Sequence, residues 1–314
     1  MSEDSGYLQA DPLLAGTLIL LNVFAFLWSA SWGSFLNVVI YRVPLGMSLV
    51  TPPSRCSTCL TRIRWYDNIP VLSWWLLRGR CRACKAPFSP RYMLIEAACG
   101  LLGLALFRAT VLPLDVETFY VSAALWIWLQ AFAYGMVALA FIDLEHTFVP
   151  EEITLPLILV GVGGSFFLPG IEPLPRFFGA LAGGGALLLV TGVGWLIYRR
   201  EAMGLGDAML LALIGSFLGI AALPFVLVAA SVQALVAVVV ARVYQRVTGK
   251  SAGLTLTTEE LDARFGESER FAHLESRLVV PFGPFLALGA LEALLFGHDL
   301  IWRFADGVVA LLTG

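Results

Sequence analysis

Charge is what this sequence has least of. Of its 314 residues, 20 are Lys or Arg and 23 are Asp or Glu, 14% together, where a soluble globular domain carries roughly 25%. So few charges cannot solvate the surface of a water-soluble protein of this length. The mean hydropathy of +0.83 agrees. A soluble enzyme is therefore excluded, and no nucleic-acid partner is expected. A cleavable secretory leader is not expected either, because the chain opens with Met1-Ser2-Glu3-Asp4, acidic where such a leader is basic. Cysteine is also scarce, at five residues, yet four of the five are grouped.

What is abundant is apolar: 59% of residues are hydrophobic. A hydrocarbon core about 30 Å thick takes roughly 20 apolar residues per helix. By that rule eight spans are predicted, at 15–40, 93–112, 120–143, 153–168, 177–197, 207–221, 223–241 and 279–297. The expected fold class is all-α, a polytopic membrane helical bundle of about eight transmembrane helices. The segment 301–312 is too short to span and is expected along the interface. Cytosolic loops collect Lys and Arg. Placing the N-terminus outside puts the loops 42–92, 198–206 and 242–278 in the cytosol, with seventeen of the twenty basic residues. The expected organisation is an extracytoplasmic N-terminus and first helix (1–41), a cytosolic cysteine loop (42–92), and a membrane core (93–314) carrying a cytosolic loop at 242–278.

Four cysteines form Cys56-x2-Cys59 and Cys81-x2-Cys84, separated by 21 residues. Paired knuckles of this kind suit tetrahedral thiolate zinc. Disulfides compete with that reading, but a cytosolic loop is reducing and disfavours them. Four thiolates leave no open coordination position, so the expected metal role is structural. Cys99, inside the second span, reads as a small packing residue.

Two carboxylates stand apart, because charge within a span is costly and marks function. Asp143 closes the third span in Phe141-Ile142-Asp143-Leu144-Glu145, and Asp207 opens the sixth in Gly204-Leu205-Gly206-Asp207. Both fall at the same membrane depth in the N-outside topology. Singly, Asp143 reads as an interfacial acid and Asp207 as a helix N-cap. Together they suit peptide hydrolysis, since two close carboxylates share one proton and supply a base and an acid. Gly204 and Gly206 lack Cβ atoms and would let a substrate backbone approach Asp207. Helix polarity suggests Asp207, at an N-terminus, as the ionised base and Asp143, at a C-terminus, as the protonated acid.

These residues occur together with Gly33-Ser-Phe-Leu-Asn-Val-Val-Ile-Tyr-Arg42, Trp65-Tyr-Asp-Asn-Ile-Pro-Val-Leu-Ser-Trp74, Arg78-Gly-Arg-Cys-Arg82 and Pro281-Phe-Gly-Pro-Phe-Leu286. In that order, over residues 33–292, the chain resembles the type IV prepilin peptidases, bacterial inner-membrane aspartyl proteases of the GxGD type. The resemblance implies cleavage of the short basic leader of prepilins and type II secretion pseudopilins, after a glycine, at the cytosolic face. It further implies N-methylation of the new N-terminal residue by S-adenosylmethionine. The positions matching the catalytic pair are Asp143 and Asp207, and Cys56, Cys59, Cys81 and Cys84 match zinc ligands. Ala208-Met209 stand where members often carry Val-Lys, and the 242–278 loop, with Glu259-Glu260-Leu261-Asp262, is longer than the family's.

The residues themselves show no glycine-rich strand–helix signature for S-adenosylmethionine. Glu96, near the start of the second span, reads most simply as an interfacial acid beside Arg91. Ion-coupled transport is the main rival. Its helix breaks would fall at clusters such as Gly183-Gly184-Gly185 and Gly161-Val162-Gly163-Gly164. Small-residue helix packing accounts for those glycines more simply. Another GxGD intramembrane protease shares the carboxylate chemistry but does not predict the cysteine knuckles.

Overall fold

The computed structural model describes residues 12–112, 118–198, 205–248 and 281–297. Gly204, Arg199, Arg200, the acidic run Glu259–Asp262 and the tail 301–312 lie outside the described residues. Within them the fold is all-helical. The helices are α1 (Pro12–Arg42), α2 (Leu72–Leu76), α3 (Arg91–Thr110), α4 (Phe119–His146), α5 (Glu151–Ser165), α6 (Pro173–Tyr198), α7 (Leu205–Leu218), α8 (Leu223–Thr248) and α9 (Gly283–Gly297). Short 3-10 turns lie at Trp65–Asp67 and Ile220–Ala222. Among the described residues, strand pairing is limited to two isolated bridges, Arg55 with Arg62 and Arg80 with Pro87.

Each expected span overlaps one helix, but that at 207–221 runs past the end of α7 into the turn at Ile220–Ala222, and the first residues of that at 279–297 lie outside the described residues. Four helical stretches among the described residues are long and apolar enough to cross a membrane: Leu13–Leu45, Arg91–Thr110, Phe119–His146 and Ile220–Thr248. The helices α5 and α7 have 15 and 14 residues. At 1.5 Å per residue each is about 22 Å long, short of the roughly 30 Å hydrocarbon core. The break between α7 and α8 is sharp because Gly219 has φ +83°, a conformation closed to most side chains.

The chain divides into two compact units, residues 1–134 and 135–314, with the boundary inside α4. In the first unit α1 and α3 are in close contact. A Cβ on Gly33 would sit 2.8 Å from the Glu96 Cα, and one on Gly100 would sit 2.6 Å from the Phe26 ring. Polar side chains then tie the helices across apolar surroundings, where hydrogen bonding is the available specific attraction. Trp126 donates from Nε1 to the Gly103 carbonyl at 2.9 Å, Gln130 donates to Ser29 Oγ at 3.0 Å, and Arg108 donates to Asn22 Oδ1 at 2.7 Å.

In the second unit, α6 meets α7 backbone to backbone, with Gly179 facing Gly215 and Gly183 facing the Leu211 carbonyl. Gly161 of α5 abuts Ser216 and Phe217 of α7 in the same way. The helix α6 runs unbroken through Gly183, Gly184 and Gly185. Gly183 and Gly184 therefore serve close packing against α7, while Gly185 faces open space, and the helix breaks that transport would need are absent from this cluster. Behind them, Leu210, Leu211, Leu213, Ile214 and Phe217 are almost completely buried.

Candidate functional site

The helix α4 ends one turn after Asp143. Thr147 has φ +53° and its N–H returns to the Asp143 carbonyl at 2.8 Å, a left-handed C-terminal cap. Pro150 is extended and starts α5, so residues 147–150 make a tight corner beside the Asp143 carboxylate. Asp143 itself is only 7% exposed.

Two other elements converge there. Asp207 lies in the first turn of α7, half-buried, and the two carboxylates are close enough to interact electrostatically. Gly206, just before it, abuts the corner, since a Cβ there would sit 3.1 Å from the Val149 side chain. The N-terminus of α9 completes the group. The Gly283 N–H donates to Asp143 Oδ2 at 3.1 Å. A Cβ on Gly283 would stand 2.5 Å from that same oxygen, so any larger residue here would have to displace the Asp143 carboxylate. The Phe282 carbonyl accepts from the Phe285 and Leu286 N–H groups and opens the helix. Free N–H groups at a helix N-terminus favour a carboxylate.

The structure thus brings Asp143, Asp207 and Gly206 together, all within the second unit. The expected division of roles by helix polarity loses its basis. Asp143 closes α4, but it also faces the N-terminus of α9, so each carboxylate has a helix N-terminus beside it. Gly283 is the site residue that sequence reasoning misses. Its Pro281-Phe-Gly-Pro-Phe signal is visible in the chain, but the partner 140 residues away is not. Met209 is half-buried next to buried Ala208.

The four cysteines form a second site, in the first unit. Their sulfurs all lie within 4.8 Å of one another, with Cys56 Sγ 3.8 Å from Cys84 Sγ and Cys59 Sγ 4.0 Å from Cys81 Sγ. These separations are far beyond a disulfide bond. They match the edge of about 3.8 Å that four sulfurs 2.3 Å from one zinc must have. The two knuckles repeat one design. The Cys56 N–H bonds the Thr61 carbonyl at 3.0 Å and the Cys81 N–H bonds the Ala86 carbonyl at 2.9 Å. Leu60 and Lys85, each one residue past the second cysteine, both adopt positive φ.

Backbone N–H groups of Cys59 and Thr58 lower the Cys56 thiol to about 6. The Thr61 side chain and backbone lower Cys59. At Cys84 the Ala86 N–H favours the thiolate, but desolvation and the neighbouring sulfurs override it and push the thiol up to about 11. Four thiolates this close need a cation among them. Across the module Asp67 takes a bidentate grip from Arg82, with contacts of 2.6–2.9 Å, and Arg82 and Arg64 both lie over the Tyr66 ring.

Glu96 anchors the cysteine module. Its Oε2 accepts the Val71 N–H at 2.7 Å, and the Ser34 hydroxyl also bonds it. Val71 sits at φ +63°, ψ −52°, with the Leu72 N–H reaching the Pro70 carbonyl at 2.6 Å. That is a γ-turn of the rare, strained hand, unusual for a β-branched residue. Arg42, buried at the end of α1, holds the other side by donating to the Ser48 and Pro52 carbonyls at 2.8 and 2.7 Å.

An all-helical membrane protein with a pair of carboxylates, one buried and one half-buried, and a four-cysteine module is the class these features define. Residues 27–110 match the bacterial peptidase A24 N-terminal domain, and residues 130–239 match the type IV leader peptidase family. The prepilin leader peptidase/N-methyltransferase of Myxococcus xanthus (strain DK1622) is 36% identical, over 94% of this chain and 96% of that protein. Proteins of the same name from Aeromonas hydrophila and Stutzerimonas stutzeri are 34% and 32% identical, over 88% and 85% of this chain and 90% and 88% of their own lengths. This chain belongs to the type IV leader peptidase family. No solved structure matches it significantly.

Proposed function

We propose that this chain cleaves the leader from type IV prepilins and type II secretion pseudopilins, after a glycine, and then methylates the new N-terminal residue. The observation that carries the peptidase half is the meeting of buried Asp143, half-buried Asp207 and the Gly283 N–H at one place. The names of the relatives carry the methylation half.

In this reading one proton is shared between Asp143 and Asp207. The ionised carboxylate takes a proton from a water molecule as the water oxygen attacks the scissile carbonyl carbon. The protonated carboxyl gives its proton to the carbonyl oxygen. The tetrahedral intermediate collapses by breaking the C–N bond: one of its hydroxyls returns a proton to the ionised carboxylate, the leaving amine takes the proton held by the other, and the pair again holds one proton. Gly283 fixes Asp143 Oδ2, which leaves Oδ1 to face water and substrate. Gly206, with Gly204, is the approach for the substrate backbone. A helical substrate must unwind locally, because its scissile amide is otherwise hydrogen-bonded.

Cys56, Cys59, Cys81 and Cys84 would hold a zinc ion whose part is structural, closing the 42–92 loop around a full thiolate shell. S-adenosylmethionine would supply an electrophilic methyl group to the freed amine. The described residues offer it no Rossmann-type turn, since they contain no strand beyond the two isolated bridges. Eight transmembrane helices, an extracytoplasmic N-terminus and a dyad at the cytosolic face of the bacterial inner membrane complete the proposal. The loop charge bias supports that orientation.

The test is co-expression with a prepilin carrying a basic leader, glycine before the cut and phenylalanine after it, read by product mass. Leader loss should vanish in both Asp143→Asn and Asp207→Asn, and the wild-type product should carry one added methyl. Full cleavage by either variant would remove the dyad.

A further inference from the structure

The helix α2 (Leu72–Leu76) is amphipathic in the wrong sense for a water-exposed loop. Leu72, Trp75 and Leu76 occupy one face, at the i, i+3, i+4 spacing, and are 52%, 64% and 74% exposed. Ser73, the polar residue of the helix, is buried, and Trp74 packs inward over Gly79, where a Cβ would lie 3.1 Å from its ring. The face is held in this orientation. The strained turn at Val71, immediately before α2, is tied to α3 by Glu96 at 2.7 Å.

The module that bears this apolar face carries almost entirely one sign of charge. Between residues 43 and 90 the cations are Arg55, Arg62, Arg64, Arg78, Arg80, Arg82 and Lys85, all exposed, against the single acid Asp67. Asp67 is already gripped by Arg82. Arg78 and Arg80 follow α2 directly. The module is also confined to a membrane surface, because it joins α1 and α3, two helices long and apolar enough to span.

We propose that this face of the cysteine module lies in the headgroup layer of its own membrane and binds anionic phospholipid. Trp75, Leu72 and Leu76 enter the interface, where an indole and short aliphatic chains are favoured. Arg78 and Arg80 pair with lipid phosphates, as basic residues at a membrane surface do. A protein partner with a basic segment is repelled by the same charges. The contact makes the module a lipid-anchored platform independent of the carboxylate chemistry.

The full chain is placed in nanodiscs of brominated phosphatidylcholine, alone or mixed with brominated phosphatidylglycerol. The Trp75 fluorescence is isolated as wild type minus Trp75→Phe; Trp75 is exposed, so the variant should fold, and unchanged metal content checks this. The Trp75 signal is expected to be quenched by brominated chains, roughly twofold more strongly with the anionic lipid. The anionic excess should disappear in Arg78→Gln/Arg80→Gln. Native mass spectrometry of the wild type in mixed lipid should show phosphatidylglycerol retained in preference to phosphatidylcholine. Equal quenching in both lipids, or a Trp75 shielded from lipid and from aqueous acrylamide by another protein surface, would overturn the proposal. Prepilin cleavage measured on the same samples reports the peptidase reading separately.

Discussion

Gly283→Ala offers the sharpest challenge to the carboxylate site, because its effect is set by a single atom. The added Cβ would stand 2.5 Å from Asp143 Oδ2 and 3.1 Å from its Cγ, whereas unbonded carbon and oxygen need more than 3.0 Å. The carboxylate must move by several tenths of an ångström or rotate, and either motion breaks the 3.1 Å bond from the Gly283 N–H. Misplacing a reacting group by about 1 Å, or removing one preorganised donor, costs on the order of 100-fold in rate. Backbone strain adds nothing, since Gly283 has no positive φ, and alanine is tolerated in the first turn of a helix. Loss of activity would therefore come from the carboxylate and not from unfolding. Gly289→Ala in the same helix is the control, where a Cβ meets Val226 O at 3.1 Å and Ala229 Cβ at 3.4 Å. Both variants, purified at matched yield and melting temperature, are assayed for prepilin cleavage under single-turnover conditions. The expected rates are about 100-fold below wild type for Gly283→Ala and within about threefold for Gly289→Ala. Cleavage by Gly283→Ala at the rate of the control would refute the view that this N–H and the space beside it position Asp143.

Metal analysis should find about one zinc per chain in the wild type and none in Cys56→Ser. Protons compete with the metal for the four thiolates, so zinc should be retained at pH 7 and released in strong acid; a metal content that does not respond to acid at all would contradict the thiolate shell. Asp67 is held below the ordinary carboxylate range by its hydrogen bonds from Arg82. Its stabilising effect is complete above that range and is lost as the pH falls through the folded-state value. The melting-temperature gap between wild type and Asp67→Asn should be open at pH 7 and close in acid, and a gap that widened in acid would reverse the sign. Glu96→Ala leaves the Val71 N–H without its acceptor, costing about 1–3 kcal/mol, and should expose the 43–90 segment to limited protease. Glu96→Gln keeps an acceptor oxygen and should restore protection; equal sensitivity of the two variants would remove the anchor.

Much of the molecule is legible in its sequence. Local rules suffice for the helices, since apolar run length and Pro or Gly punctuation mark α1, α3, α4 and α8, and for the cysteine knuckles, whose x2 spacing is itself the turn. The two aspartates stand out because carboxylates beside long apolar runs need a reason to be there. The short lengths of α5 and α7 are less legible, since an apolar run gives no warning of where helical geometry stops. Gly219 ends α7 through its own φ, and Ser165 ends α5 before Gly170.

Composition and motif spacing determined by themselves that this protein lives in a membrane, that four cysteines sit as two knuckles, and that Asp143 and Asp207 are the acids to explain. These are short-range properties, carried by residues a few positions apart. Only the tertiary structure decided that Gly283 supplies the donor to Asp143 across 140 residues, that Glu96 holds Val71 across 25, and that α2 turns its leucine and tryptophan outward. Such contacts depend on which helix faces lie together, and that is set by packing summed over whole helices, a quantity no local pattern encodes.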